Sequence, residues 1–283
     1  MPQIMKHLIL LGFGFIFHLP GFGQGWDIGV GGGITSYRGD IQSNLFELKP
    51  GWSSIIWSKY NFNSHWGLRA SLAQKFVSAA DSLNSDLFQR SRNLSFQSEI
   101  LEAALQVEFY FWPYVPGSLK KRYSPYLALG VSHFWFDPMT RYKGTLVSLQ
   151  PLGTEGQGLA DKLPTNPWPL LPDRYALNSW AFPVHFGFRH NLNTNWSIGI
   201  EWMYSFTLTD YLDDVSGKYF DPYELRRYRS SMAADLSDRS WEIGLSDKVV
   251  GTQRGVNAYN DFYWSCMLLC SYHIPSKKCR MVQ

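Results

Sequence analysis

Ser132 and His133 are adjacent residues of the two types that act as nucleophile and general base in lipid deacylases and phospholipases. They lie in an alternating segment that we interpret as a β-strand, in which neighbouring side chains point to opposite faces. They therefore cannot hydrogen-bond to each other as a catalytic pair. Because no triad order stands out elsewhere, we predict no catalytic residues and no enzymatic activity.

The acidic segment 209–217, TDYLDDVSG, followed by Asp221, is a second candidate site. Asp210, Asp213 and Asp214 place carboxylates close together, and calcium prefers carboxylate oxygens. Their spacing does not follow the alternate-ligand order of an EF-hand loop, which favours hydrogen-bonded turns capped by the Asp side chains. We predict no metal and no cofactor, with calcium at this loop as the alternative.

Charged side chains also recur at every second position of otherwise apolar segments. In residues 101–111, LEAALQVEFYF, the odd positions are apolar, and residues 196–207 repeat the pattern around Glu201. This period indicates strands with one apolar and one polar face. We predict that the following charged residues face a lumen and form ion pairs there: Arg69, Lys75, Glu102, Glu108, Arg189 and Glu201.

The elements that must position these charges are eight predicted strands. Short connections follow the second, fourth and sixth strands, and long ones follow the others, as in outer-membrane barrels with extracellular long loops. The sequence thus predicts an all-β fold, a closed eight-stranded antiparallel transmembrane outer-membrane β-barrel with periplasmic termini. The predicted strands are 26–37, 51–61, 66–77, 94–112, 123–136, 177–190, 195–208 and 259–274.

The interior of an eight-stranded barrel is only wide enough for side chains, so we predict a filled lumen and no diffusion pore. A proton or ion path through the same charges is the alternative. A ring of interfacial tryptophans is expected near the strand ends. Its predicted members are Trp52, Trp57, Trp66, Trp112, Trp135, Trp180, Trp196 and Trp202.

The composition and the ends of the chain agree with an exported membrane protein. Aromatic residues make up 17% of the 283 residues and charged residues only 17%. Lys6 and His7 precede a short apolar run, so we predict a signal peptide over residues 1–23 and a single barrel domain over 24–283. Cys266 and Cys270 are predicted to be lipid-facing rather than disulfide-bonded. The net charge of +3 does not favour nucleic acid, and no small-molecule substrate is predicted.

Two basic clusters fall on the predicted periplasmic side. They could contact the phosphate headgroups of the outer-membrane lipid or dock a periplasmic partner, and composition does not distinguish the two. The candidate docking residues are Lys120, Lys121, Arg122, Lys277, Lys278 and Arg280.

Several segments of the chain together resemble one family of outer-membrane proteins. They are RNLSF (92–96), FWPY (111–114), SPYL (124–127), FDP (136–138), LGTEGQG (152–158), TDYLDDVS (209–216) and LSDRS (236–240), with looser similarity at SYRGD (36–40). In these segments the chain resembles the PorG-like barrel proteins of the Bacteroidota type IX secretion system.

The resemblance implies a small barrel that is required for cargo secretion and, in gliding species, is associated with gliding motility. It also implies partners, since such a barrel is thought to anchor a periplasmic ring built from a PorK-like lipoprotein and a PorN-like protein. No catalytic residues come with the family. Two other functions stay open from the residues alone: a small lipid-modifying enzyme and a general structural barrel or adhesin.

Overall fold

A computed structural model of the chain describes residues 25–42, 50–163, 171–256 and 258–275. Over these residues the chain forms one antiparallel sheet with four single-turn 3-10 helices and three short α-helices, α1 (Leu87–Arg92), α2 (Pro222–Tyr228) and α3 (Ser231–Ser237). The described strands are β1 (Gly25–Arg38), β2 (Gly51–Asn61), β3 (Trp66–Ala80), β4 (Ser95–Tyr110), β5 (Tyr123–Tyr142), β6 (Thr145–Ser148), β7 (Asn178–Asn191), β8 (Trp196–Thr207) and β9 (Phe262–Pro275).

The sheet closes on itself. Its strand order is β4-β3-β2-β1-β9-β8-β7-β5, and β5 also pairs with β4. The short β6 pairs only with the outer end of β5, from Met139 to Tyr142, and stands outside the closed ring. The first and last strands pair over their whole length, from Gly25 with Pro275 to Arg38 with Phe262. The predicted closed eight-stranded antiparallel barrel is confirmed.

The two faces of each strand differ in chemistry, as the alternation predicts. Ile200 is 50% exposed, whereas the next residue, Glu201, is fully buried in the lumen. Leu105 on β4 is likewise exposed and its neighbour Gln106 buried. An apolar exterior around a polar interior is the architecture of outer-membrane barrels. No helix among the described residues is long and apolar enough to cross a bilayer.

Short and long connections lie at opposite ends of the barrel. Residues 62–65, 111–122 and 192–195 join strands at the end where β1 starts and β9 ends. The described parts of the longer connections, residues 39–42, 81–94, 208–256 and 258–261, lie at the other end, together with β6 and residues 149–163. We name this second end the mouth of the barrel. The predicted signal peptide, residues 1–23, lies outside the described residues.

The predicted position of Trp57 in an interfacial ring is wrong, because this indole lies inside the barrel. Trp57 is 4% exposed and is paired with Gly29 of β1. A Cβ built on Gly29 would lie 2.3 Å from the Trp57 ring, so the missing side chain makes room for the indole. Trp202 faces outward but lies in the middle of β8, stacked on Trp264 at 4.8 Å. The other six tryptophans of the predicted ring are exposed or half-exposed on the outer wall.

Replacing Gly29 with Val is expected to destabilise the barrel by about 1–3 kcal/mol, the usual cost of overpacking an interior. The added Cβ would also approach the Cys270 carbonyl oxygen to 2.8 Å, so a shift of the indole alone does not relieve the clash. Gly32→Ala is the matched control, because its Cβ would meet only the Ser53 carbonyl oxygen at 3.7 Å. Urea titration of the folded band on unheated gels measures both variants. Equal midpoints would contradict the packing argument.

Candidate functional site

The lumen is filled by a network of buried ion pairs, and Glu201 of β8 is one centre of it. Arg69 Nη1 lies 2.6 Å from Glu201 Oε2, and Tyr126 Oη donates to the same oxygen at 2.5 Å. His185 Nδ1 lies 2.9 Å from Glu201 Oε1. These side chains come from β3, β5, β7 and β8, so one carboxylate connects four of the eight strands of the ring.

Glu108 of β4 is the second centre. It contacts Arg69 Nη1 at 3.1 Å through Oε1 and Lys59 Nζ at 3.1 Å through Oε2. Lys59 also lies 3.3 Å from Asp27 Oδ2 on β1, and His273 of β9 contacts the other Asp27 oxygen at 2.8 Å. The network therefore continues from β4 through β2 to the seam where the first and last strands close the barrel.

A separate pair lies nearer the mouth. Lys75 Nζ is 3.0 Å from Glu102 Oε1, and the hydroxyl groups of Tyr263 and Ser205 donate to the other Glu102 oxygen. Lys75 also lies over the Tyr263 ring, at 4.7 Å from its centroid. Both charges are almost completely buried, so each depends on the other for compensation.

Arg189 is buried without a matching set of acceptors. Its guanidinium donates no hydrogen bond to the described residues, and Glu108 Oε1, 3.7 Å away, is its ion-pair partner. The group lies over the rings of Trp57 and Tyr126, at 4.5 and 5.2 Å from their centroids. Cation–π contact with these two rings therefore supplements the long ion pair.

The structure places all six predicted plug residues in the lumen. Arg69, Arg189, Glu108 and Glu201 form one linked group, and Lys75 and Glu102 form a separate pair. Lys59, Asp27 and His273 complete the network and were not among the predicted lumen residues. Asp27 lies in the glycine-rich β1 and Lys59 follows the adjacent Ile55 and Ile56, so the alternation around them is irregular, whereas His273 has the regular parity of β9. Lys59, Arg69, Lys75 and Arg189 balance four acids in the described lumen, Asp27, Glu102, Glu108 and Glu201.

Long connections cover the mouth of the barrel and form what we name the loop cap: residues 39–42, 81–94, 149–163, 171–177 and 208–261, as far as described. Their apolar side chains pack onto strand residues at the mouth. Leu149, Leu212, Val215 and Leu236 of the cap share one buried cluster with Phe96, Phe134, Phe136 and Tyr263 of the barrel. The loop cap is therefore continuous with the core of the barrel.

Arg254 is buried in the loop cap and binds three of its segments. Its Nη1 lies 2.8 Å from Glu155 Oε1 and donates to the Asp214 carbonyl oxygen at 2.7 Å, while Nε donates to the Ser237 carbonyl oxygen. Glu155 also accepts hydrogen bonds from the backbone amides of Ser216 and Gly217. Segments 152–158 and 209–216, two of those on which the family resemblance rests, thus contact each other directly.

The acidic segment near Asp213 is engaged in hydrogen bonds. Asp210 accepts from the Ser216 hydroxyl, Asp214 from Thr154 and Tyr175, and Asp221 caps the first turn of α2 through the Tyr223 amide. Burial raises the pKa of Asp210 to about 7 and that of Asp214 to about 6. Among the described residues no group of three or more acidic, His or Cys side chains is arranged to hold a metal ion.

Ser132 and His133 point to opposite faces of β5. The Ser132 hydroxyl is buried and donates to the Ala181 carbonyl oxygen at 3.4 Å. His133 is half-buried on the outer wall, with its ring 4.8 Å from the rings of both Trp135 and Trp180. This pair therefore has no shared site in which a nucleophile and a base could meet.

The basic turn between β4 and β5 lies at the end opposite the mouth. Lys120 and Lys121 are exposed and Arg122 is half-buried, with its Nη2 3.5 Å from the Asn191 carbonyl oxygen. The other three predicted docking residues, Lys277, Lys278 and Arg280, lie outside the described residues. Cys266 and Cys270 are free thiols half-buried on the outer wall.

Comparisons with known proteins find one family model and several solved structures. A family model described as "Domain of unknown function (DUF6089)" matches residues 6–146, just under half of the chain. No curated protein matches the chain. Three solved structures serve as examples of similar proteins.

Ail, the attachment invasion locus protein of Yersinia pestis in complex with the heparin analogue sucrose octasulfate, is 13% identical with a TM-score of 0.40, covering 89% of this chain and 99% of that chain. Neisserial surface protein A is 10% identical with a TM-score of 0.42, covering 88% and 97%. The outer membrane protein OprG from Pseudomonas aeruginosa is 12% identical with a TM-score of 0.38, covering 92% and 100%.

Proposed function

We propose that the chain is an outer-membrane barrel component of a type IX protein secretion system, where it anchors the periplasmic ring at the outer membrane. The observation that carries the proposal is the set of segments that resemble PorG-like barrels, above all 152–158 and 209–216. The contact of these two segments through Glu155 and Ser216 supports the view that they belong to one structural unit.

A lumen filled with paired charges supports a mechanical role. Arg69 contacts both Glu108 and Glu201 in the centre of the barrel. These side chains fill the lumen at this level, so no open path for a solute passes through it. Breaking buried ion pairs is costly, so the ring of strands is rigid. A rigid cylinder of this kind is suited to hold a protein assembly at a fixed place in the membrane.

The orientation follows from the general architecture of outer-membrane barrels. Their short turns lie in the periplasm and their long loops outside. In this orientation the exposed Lys120 and Lys121 face the periplasm, where we propose that they contact a ring built from a PorK-like lipoprotein and a PorN-like protein. The loop cap then faces the outside of the cell.

Crosslinking from the short-turn end tests the docking surface. In a chain whose own three cysteines are replaced by Ala, we expect single cysteines at Lys121 or Lys278 to form adducts with a ring subunit through a bifunctional maleimide. The matched control is Lys143→Cys, an exposed lysine at the mouth, which should form none. Failure to capture a ring subunit at both Lys121 and Lys278 would contradict the docking surface.

Deletion of the gene tests the wider proposal. We expect cargo to accumulate inside the cell while the lipid A profile is unchanged, since the role is one of anchoring. Normal secretion with altered lipid A would instead indicate a lipid-modifying enzyme. Normal secretion with a normal lipid A profile would instead indicate a general structural barrel or an adhesin.

A further inference from the structure

One tyrosine hydroxyl at the barrel mouth contacts two buried carboxyl groups of the loop cap. Tyr37 Oη lies 2.5 Å from Asp213 Oδ2 and 3.0 Å from Asp261 Oδ1, and all three residues are at most 1% exposed. A hydroxyl group has a single hydrogen, so Tyr37 can donate to only one of them. The other contact is a hydrogen bond only where that carboxyl is protonated and donates to the tyrosine oxygen.

The remaining contacts show which carboxyl holds the proton. Both oxygens of Asp213 accept from backbone amides, Oδ1 from Val215 at 2.9 Å and Oδ2 from Ile41 at 3.2 Å. Asp261 accepts from one amide, that of Leu212 at Oδ2, which leaves Oδ1 free to carry a hydrogen. We propose that protonated Asp261 donates to Tyr37 and Tyr37 to the Asp213 carboxylate, and that this relay is a pH-sensitive latch that closes the loop cap.

The surroundings of the pair are acidic. No Lys or Arg of the described chain lies within ion-pair distance of Asp213 or Asp261. The two buried arginines of the loop cap are paired with other acids, Arg92 with Asp81 and Arg254 with Glu155 and Asp214. Burial and Asp213 raise the pKa of Asp261 well above its ordinary value, and burial and Asp40 do the same for Asp213. The other charged and titratable groups around the pair are Asp40, Glu155, Tyr175, Asp210 and Asp214.

The latch joins three parts of the chain at the mouth. Tyr37 belongs to β1 and Ile41 to the connection after it, while Asp213 and Asp261 lie near the two ends of the long connection between β8 and β9. Ionisation of Asp261 would leave two carboxylates competing for one hydroxyl beside Asp40. Because the folded pKa is raised, the stabilisation is fully present below the unfolded pKa of about 3.9 and is lost progressively as pH rises from there through the folded pKa.

Hydrogen exchange of the full chain in lipid nanodiscs, corrected for the intrinsic rate at each pH, tests the latch. We expect amides of residues 208–256 to exchange at least about tenfold faster at about pH 9 than at about pH 4, while those of β3 and β4 do not change. Asp261→Asn should reduce this pH dependence to the part that comes from Asp210 and Asp214, because its amide group can donate to Tyr37 and its oxygen can accept from Leu212 at any pH.

Asp213→Asn is the contrasting variant, because every group that Asp213 contacts is a donor. Its amide nitrogen would face one of these donors, so the loop cap should exchange fast at both pH values. The latch is refuted if the wild-type loop cap exchanges at the same corrected rate at both pH values, or if Asp261→Asn keeps the wild-type pH dependence. Heat-modifiable migration on gels verifies that each variant retains a folded barrel. If Asp213→Asn does not fold, the comparison of Asp261→Asn with wild type tests the latch by itself.

Discussion

Glu201→Gln is expected to destabilise the barrel by about 3–5 kcal/mol, the usual cost of breaking a buried ion pair from one side. Glu201 is fully buried and contacts Arg69, His185 and the Tyr126 hydroxyl. The substitution keeps the volume of the side chain but removes its charge, so Arg69 loses its shortest ion pair inside the lumen. Loss of the folded band on unheated gels, or a lower urea midpoint in vesicles, measures the effect.

Glu99→Gln is the matched control for this experiment. Glu99 is exposed near the mouth end of β4, where it is paired with Asp137 of β5 and lies nearer the mouth than Trp135, and its carboxylate accepts from Gln74. Solvent-exposed charge contacts contribute about 0–1 kcal/mol, so this variant should migrate and unfold like the parent. A Glu201→Gln barrel as stable as Glu99→Gln would show that the lumen charges do not hold the strands together.

Ile200→Arg is expected to destabilise the barrel in a bilayer by about 2–4 kcal/mol, the range for a basic residue at the midplane of an outer-membrane barrel. Ile200 is 50% exposed on the outer wall, next to Leu268 of β9, so the guanidinium would face the lipid. The urea midpoint of the folded band in lipid vesicles measures the loss. In detergent, which lacks a bilayer, we expect a smaller difference from the parent.

Ser205→Ala on the same strand is the control for Ile200→Arg. Ser205 faces the lumen, where its hydroxyl lies 3.4 Å from Glu102 and 3.8 Å from the Met203 sulfur. Glu102 keeps its pair with Lys75 in this variant, so the loss should stay near the 1 kcal/mol of a single hydrogen bond. An Ile200→Arg barrel no less stable than Ser205→Ala would mean that this face of β8 does not contact lipid.

The alternation of residue types predicts which face of each strand is polar, because side-chain direction in a strand depends only on local parity. Glu108 and Glu201 alternate with large apolar neighbours, and the structure places them in the lumen. The number of strands and the order of short and long connections follow from the same pattern, and the closed eight-stranded barrel is confirmed. The interior position of Trp57 could not be predicted in this way, because the space for its indole depends on Gly29 of the neighbouring strand.

The choice of partners could not be predicted from the sequence, because it depends on strand register and on how the ring closes. Which acid meets Arg69 is decided by residues 39 and 132 positions further along the chain, Glu108 and Glu201, on two other strands. In the same way Tyr37, Asp213 and Asp261 meet only when the long connection folds back over the mouth. The sequence by itself determined the wall of the barrel, and the tertiary structure decided the ion pairs that fill it and the contacts that close it.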